Sequence, residues 1–185
     1  MIPIIIIIAV IALIVLWFIA TYNGFVKAKN DCEEGFSTMD VYLKKRFDLI
    51  PNLVETVKGY TKHESETLEK VVAARSAISS ATGLEERAAG ENQLTGALKS
   101  LFAVAEAYPD LKANQNFMDL QGQLQTLEGE IAESRKYYNA VVKSYNNKCE
   151  MFPSSIIGNM FHFEKKPMFE VTSSEERENV KVDFN

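Results

Sequence analysis

The chain carries only two histidines, His63 and His162, and two cysteines, Cys32 and Cys149. Metal chemistry would therefore have to be built from these four side chains or from carboxylates alone. A di-metal helical bundle needs a Glu-x-x-His pair on each of two helices. Tyr60 and Asn159 stand three residues before the two histidines, so neither pair is completed. His63, between Lys62 and Glu64, reads as a solvated helix residue. The cysteines lie far apart without C-x-x-C spacing, which argues against zinc or dithiol redox work and leaves ordinary reduced thiols. No Ser or Cys stands in a nucleophile elbow, and neither a Gly-x-Gly-x-x-Gly turn nor a P-loop occurs. The sequence thus assigns no catalytic residue, no cofactor and no metal.

What remains is a set of charges on or beside apolar stripes: Asp40, Glu64 and Arg75 early in the chain, Glu128 and Arg135 later. A buried charge must be paired, because desolvation costs several kcal/mol per unpaired ion. Two readings stay open. In one, these side chains lie at bundle edges and reach water along their own aliphatic stems. In the other they form a buried ion-pair network, with Glu128 against Arg135, that fixes helix register.

The elements that must position these charges follow from periodicity. Residues 2–20 are apolar throughout apart from Pro3, and at helical rise they span about 28 Å, one hydrocarbon core. Ile2 opens this anchor and Ala20 ends it; Trp17, Phe18 and Tyr22 sit where an interfacial aromatic belt belongs. A cleaved leader would want a basic first region and a small-x-small site, and Phe18 and Ala20 do not make one. The first charges come at Lys27 and Lys29, followed by Lys44, Lys45 and Arg46. This bias toward one side predicts an N-terminus outside and a bundle in the cytoplasm.

Beyond the anchor a 3,4-spaced series runs Phe36, Asp40, Leu43, Phe47, Ile50, Val54, Val57, Thr61, Glu64, Leu68, Val71, Arg75, Ile78. That spacing predicts one long amphipathic helix, continuous and kinked at Pro51 rather than reversed there. Residues 82–85, Thr-Gly-Leu-Glu, have capping-box form and predict the next start, with Leu94, Leu98, Leu101 and Ala105 inward. Pro109 ends that helix. Asn114 then predicts an N-cap for a third long helix with Phe117, Leu120, Leu124, Leu127, Ile131, Tyr138, Val141 and Tyr145 on one stripe. After Pro153, a short helix carries Ile156, Ile157, Met160, Phe161 and Phe163, expected to fill a groove in the bundle. The fold class is all-α: one transmembrane helix, then an elongated antiparallel bundle of three long helices and a short fourth. The domains are 1–26 (anchor and flank), 27–166 (bundle) and 167–185 (irregular tail). In the tail Val180, Val182 and Phe184 alternate as a docking strand would.

At 185 residues, 46% of them hydrophobic, the chain has enough for one core plus an anchor, and its net charge of −5 makes it a poor nucleic-acid binder. The expected partners are the lipid bilayer, further copies of itself and other membrane proteins.

Residues 40–64, DVYLKKRFDLIPNLVETVKGYTKHE, closely resemble the central signature of the LemA family of bacterial membrane proteins. Tyr22-Asn23, residues 106–114, residues 128–146 (with Arg135, Tyr138, Asn139, Tyr145 and Asn146) and the ending VKVDF agree as well. Phe47 departs from the family, where a polar residue is common, but on the stripe above it is a core position. The resemblance implies a LemA-like helical bundle in the bacterial inner membrane and no established reaction. Relatives are often encoded near membrane metalloproteases, which adds the role of a protease accessory factor. Fold alone fixes none of this. The expected function is a non-enzymatic, self-associating interaction protein. The alternatives are a ligand-binding or enzymatic bundle with a buried polar site and, less consistent with an all-apolar span, a pore component.

Overall fold

The computed structural model describes residues 2–61 and 64–170. His63 and the tail residues Val180, Val182 and Phe184 lie outside them. Within the described residues the chain is all-α, with helices α1 (Ile2–Lys58), α2 (Ser65–Ser80), α3 (Leu84–Ala105), α4 (Pro109–Lys112), α5 (Gln115–Glu150) and α6 (Ser154–Met160). The all-α class expected from periodicity is what the chain adopts, and α1 contains a stretch long and apolar enough to cross a membrane.

Pro51 lies inside α1, and the helix passes through it rather than reversing. The uninterrupted helix expected as far as Ile78 is nevertheless divided. After Lys58 the chain turns at Gly59 and Tyr60, and the Val57 carbonyl accepts from Tyr60 N, Thr61 N and the Thr61 hydroxyl at 3.0, 3.1 and 3.1 Å. Glycine is a weak helix former, and the Thr61 hydroxyl adds a side-chain donor to the Val57 carbonyl where the helix ends. Leu68 and Val71 remain buried beyond the break. The apolar period therefore runs on through the interruption, which is why periodicity missed it.

A second correction concerns the inward face of α1. Its buried positions include Met39, Leu43, Arg46, Ile50, Leu53 and Val57. Asp40 and Phe47, taken as stripe positions, are only half-buried. Two 3,4 series share Leu43 and Ile50, and packing chose the one that turns Arg46 inward.

The caps follow local chemistry. Gly83, extended at φ −132°, is the N-cap of α3, and both the amide and hydroxyl of Thr82 donate to Glu86 Oε2 at 2.9 and 3.1 Å. The carboxylate that reaches back is thus Glu86, not the expected Glu85, because the cap falls one residue later. These bonds hold the Glu86 carboxyl below its usual range. Asn114 caps α5 as expected, its Oδ1 accepting from Phe117 N at 2.9 Å.

The helices form two compact units, one built from Met1–Tyr42 with Gly129–Met168 and the other on Leu43–Glu128. Both α1 and α5 supply a segment to each, so the boundary drawn at 26/27 from composition falls within a continuous helix. The second unit has the larger apolar core, in which Ile50, Leu53, Val71, Leu94, Leu101, Leu111, Phe117 and Leu124 are buried. In the first, Phe25, Cys32, Met39, Tyr138, Val142, Tyr145 and Ile157 are buried. Phe169, assigned to the tail from sequence, is buried and belongs to the second unit.

Candidate functional site: a buried arginine between two carboxylates

The most strongly charged interior position is Arg46 on α1, whose guanidinium is 1% exposed. α3 brings Glu91 and Thr95 to it, one helical turn apart on one face, and α5 brings Glu128. Arg46 Nη2 donates to Glu91 Oε2 at 2.5 Å and to the Glu91 carbonyl at 3.3 Å. Nη1 donates to Thr95 Oγ1 at 2.8 Å and to Glu128 Oε1. The Thr95 hydroxyl lies 3.2 Å from the Glu91 carbonyl and 3.3 Å from Glu128 Oε2, and its single proton serves one of them at a time. Glu91 is 3% exposed and Glu128 34%. One carboxylate is therefore sealed in and the other reaches solvent.

Two carboxylates face one guanidinium, and Arg87 Nε, 4.0 Å from Glu91 Oε1, brings the group toward neutrality. Burial pushes the Glu91 carboxyl above its ordinary value; Arg46 and Arg87 oppose the rise and Glu128 adds to it. Chemically, the cluster can hold three helices in one register. The Glu91 Oε1 and Arg46 Nε atoms are buried without a hydrogen-bond partner.

Of the charges singled out from sequence, Glu128 belongs to this cluster, held by Arg46 where Arg135 was the expected partner. Glu64 accepts from the Tyr108 hydroxyl at 3.1 Å. Arg75 lies over the Phe47 ring, 4.1 Å from its centroid, with a buried Nε that has no hydrogen-bond partner. Phe47 is thus the partly exposed platform for a cation rather than a core residue. Asp40 and Arg135 are half-buried in the other unit. Sequence reasoning missed Arg46 and Glu91. Arg46 was read with Lys44 and Lys45 as a topology signal, although Met39, Leu43, Arg46, Ile50, Leu53 and Val57 repeat every three or four residues as well as the series chosen.

A groove of about 520 Å³ in the second unit is bordered by Lys58, Glu64, Leu68, Glu69 and Val72. Glu91 does not line it, so the perturbed carboxyl and this groove are separate features. In the first unit, polar groups clasp the chain that follows α6. Asn146 Nδ2 donates to the Lys166 carbonyl and Asn146 Oδ1 accepts from Lys166 N, both at 2.9 Å. The Tyr138 hydroxyl donates to the Pro167 carbonyl at 2.9 Å.

Comparison with known proteins fits this picture. The model of the LemA family matches residues 35–184. Protein LemA of Metamycoplasma hominis is 25% identical over 90% of this chain and 75% of its own length. Magnetosome protein MamQ 2 of Paramagnetospirillum magneticum is 25% identical over 83% of this chain and 67% of its own. Magnetosome protein MamQ of Magnetospirillum gryphiswaldense is 23% identical over 90% and 72%. With a family match across most of its length, and with Tyr138 and Asn146 of the resembling blocks fastening the segment after α6, this chain belongs to the LemA family.

Proposed function

We propose that this protein is a membrane-anchored scaffold of the bacterial envelope, which presents a helical surface to copies of itself and to other membrane proteins rather than transforming a substrate. The observation that carries the reading is the continuity of α1, which runs from the apolar stretch into the packed interior without a break until Lys58. A helix shared between span and core transmits orientation stiffly, as a display element needs and a flexible tether would not supply. The buried charges support the same reading. Arg46 directs its donors at Glu91, Glu128 and Thr95, an arrangement suited to fixing register.

Confinement to a membrane raises effective concentration, so weak contacts between copies suffice for assembly. The test is cross-linking of full-length protein in its native membrane followed by mass spectrometry. Cross-links between copies, or to other envelope membrane proteins, are expected. Recovery of intrachain links alone would overturn the scaffold. For the tail, light scattering on full-length protein in mild detergent is compared with a chain ending at Glu170, which keeps buried Phe169. An oligomer that survives this truncation unchanged removes Val180, Val182 and Phe184 from the contact.

A further inference from the structure

The first unit carries an apolar surface that its own packing leaves uncovered. α5 runs antiparallel to α1: Phe36 meets Tyr138 edge to face at 5.7 Å, and further along Lys148 Nζ donates to the Gly24 carbonyl at 2.9 Å. The end of α5 therefore advances toward the apolar stretch of α1. Met151 and Phe152 follow Lys148 in that direction, and Phe152 is 80% exposed. α6 then folds back. Ile157 and Gly158 are buried, and a Cβ on Gly158 would come within 3.2 Å of the Phe25 ring, so the missing side chain lets α6 sit close against α1. Phe161 packs edge-on against both Phe18 and Tyr22, with ring centroids 5.8 and 4.8 Å away, and Phe163 stacks on Phe25 at 4.8 Å. On the opposite face Ile156 and Met160, one turn apart, point outward at 48% and 58% exposure.

We infer that the α5–α6 corner, with Met151, Phe152, Ile156 and Met160 outermost, lies in the membrane surface and inserts its apolar side chains between lipid headgroups. The inference rests on the membrane-anchored reading of α1. Its own support is position. Phe161 is in ring contact with Phe18, inside the apolar stretch, and with Tyr22, just beyond it. These outward side chains thus fall at the depth where a bilayer passes from acyl chain to headgroup. An apolar edge at that depth meets lipid before it can meet an aqueous partner. The expected groove-filling role of residues 156–163 is thereby narrowed. Ile157, Phe161 and Phe163 pack within the chain, and Ile156 and Met160 face the bilayer. One anchor fixes depth but permits rotation and tilt; a second contact at the surface restricts both.

Full-length protein is reconstituted in vesicles of phosphatidylglycerol and phosphatidylethanolamine, with and without phosphatidylcholine brominated near the carbonyl end of its chains. Trp17, the single tryptophan, reports the anchor in the native protein. In a Trp17→Phe background, Phe152→Trp and, separately, Met160→Trp report the corner. Tyr137→Trp is the control, half exposed on α5 beside Gly35 and about 20 Å from the end of the span at helical rise. Bromolipid should quench Trp17 and both corner tryptophans by more than about half at headgroup depth, and should leave the control unquenched. Quenching of Trp17 with none at either corner position overturns the surface contact while the anchor stands. Corner tryptophans that are shielded from acrylamide only at high protein density, without bromolipid quenching, assign the face to a second copy and also overturn it. Absence of quenching at Trp17 overturns the anchored reading and this inference with it.

Discussion

Arg46 shows how one side chain can matter more than its neighbours of equal charge. Lys44 pairs with Asp48 at 3.4 Å in the open, an exposed pair worth less than about 1 kcal/mol. Arg46, 1% exposed, neutralises a carboxylate that is itself 3% exposed. Arg46→Met should cost about 3–5 kcal/mol in thermal or denaturant unfolding at neutral pH, because Glu91 is left charged and sealed in. Glu91→Gln should cost within about 1 kcal/mol, since the amide oxygen still accepts from Arg46, and Glu128 keeps the guanidinium paired. Equal losses would show that packing, not charge, sets the value of the site. The pH dependence has a fixed sign. Glu91 titrates higher in the fold than its usual 4.5, so its stabilising share is complete below that value and is lost as pH rises through the folded pKa. Removing Arg46 removes the main opposition to the rise. The deficit of Arg46→Met should therefore narrow as pH falls from about 8 to about 5. A constant deficit would sink the assignment.

At the scale of elements, close approach between helices is governed by where side chains are absent. A Cβ on Gly90 of α3 would lie 3.0 Å from Ile78 Cγ1 and 3.2 Å from the Ile78 backbone nitrogen on α2. Gly90→Val should therefore destabilise by about 1–3 kcal/mol despite the gain in helix propensity. Gly129 on α5 meets nothing within 4 Å. Gly129→Ala should instead raise stability by about 0.5–1 kcal/mol, as expected where a helical glycine serves no packing purpose. Circular-dichroism melts in mild detergent separate the two, and a stabilising Gly90→Val would refute the close α2–α3 contact. Capping was legible at this scale where a side chain makes one short bond, as at Asn114. It was off by one at Thr82, because either Glu85 or Glu86 could reach back and only the backbone at Gly83 selects between them.

For the whole molecule, the proposed orientation, with the bundle in the cytoplasm, rests on charge. Lys27 and Lys29 follow an uncharged stretch, and basic residues are retained on the cytoplasmic side. Gly83 offers a reporter position, since a Cβ there meets nothing within 4 Å. With Cys32 and Cys149 replaced by alanine, Gly83→Cys should resist a membrane-impermeant maleimide in intact cells and label fully after lysis. Rapid labelling in intact cells would reverse the topology. The proposed self-association belongs to this scale too, and effective concentration in the membrane makes full-length protein the species on which to test it.

Local rules were sufficient for whatever depends on near neighbours in the chain. An unbroken apolar run defines the candidate span, 3,4 spacing defines amphipathic helices, and Asn114 marks a helix start. All of these are set within a few residues, so the sequence carries them openly. Choices between nearly equal local solutions had to await tertiary packing. Leu43 and Ile50 serve two stripes equally well, and only the arrival of Glu91 and Glu128 from α3 and α5 makes the one containing Arg46 affordable, because a buried guanidinium needs acceptors from elsewhere in the chain. Likewise, the apolar residues of α6 and of the segment just after it are not told apart by sequence, yet contact with Phe18, Tyr22 and Phe25 decides which of them turn inward. Partners that distant leave no periodic trace, and the free energy that selects them exists only once the helices have packed.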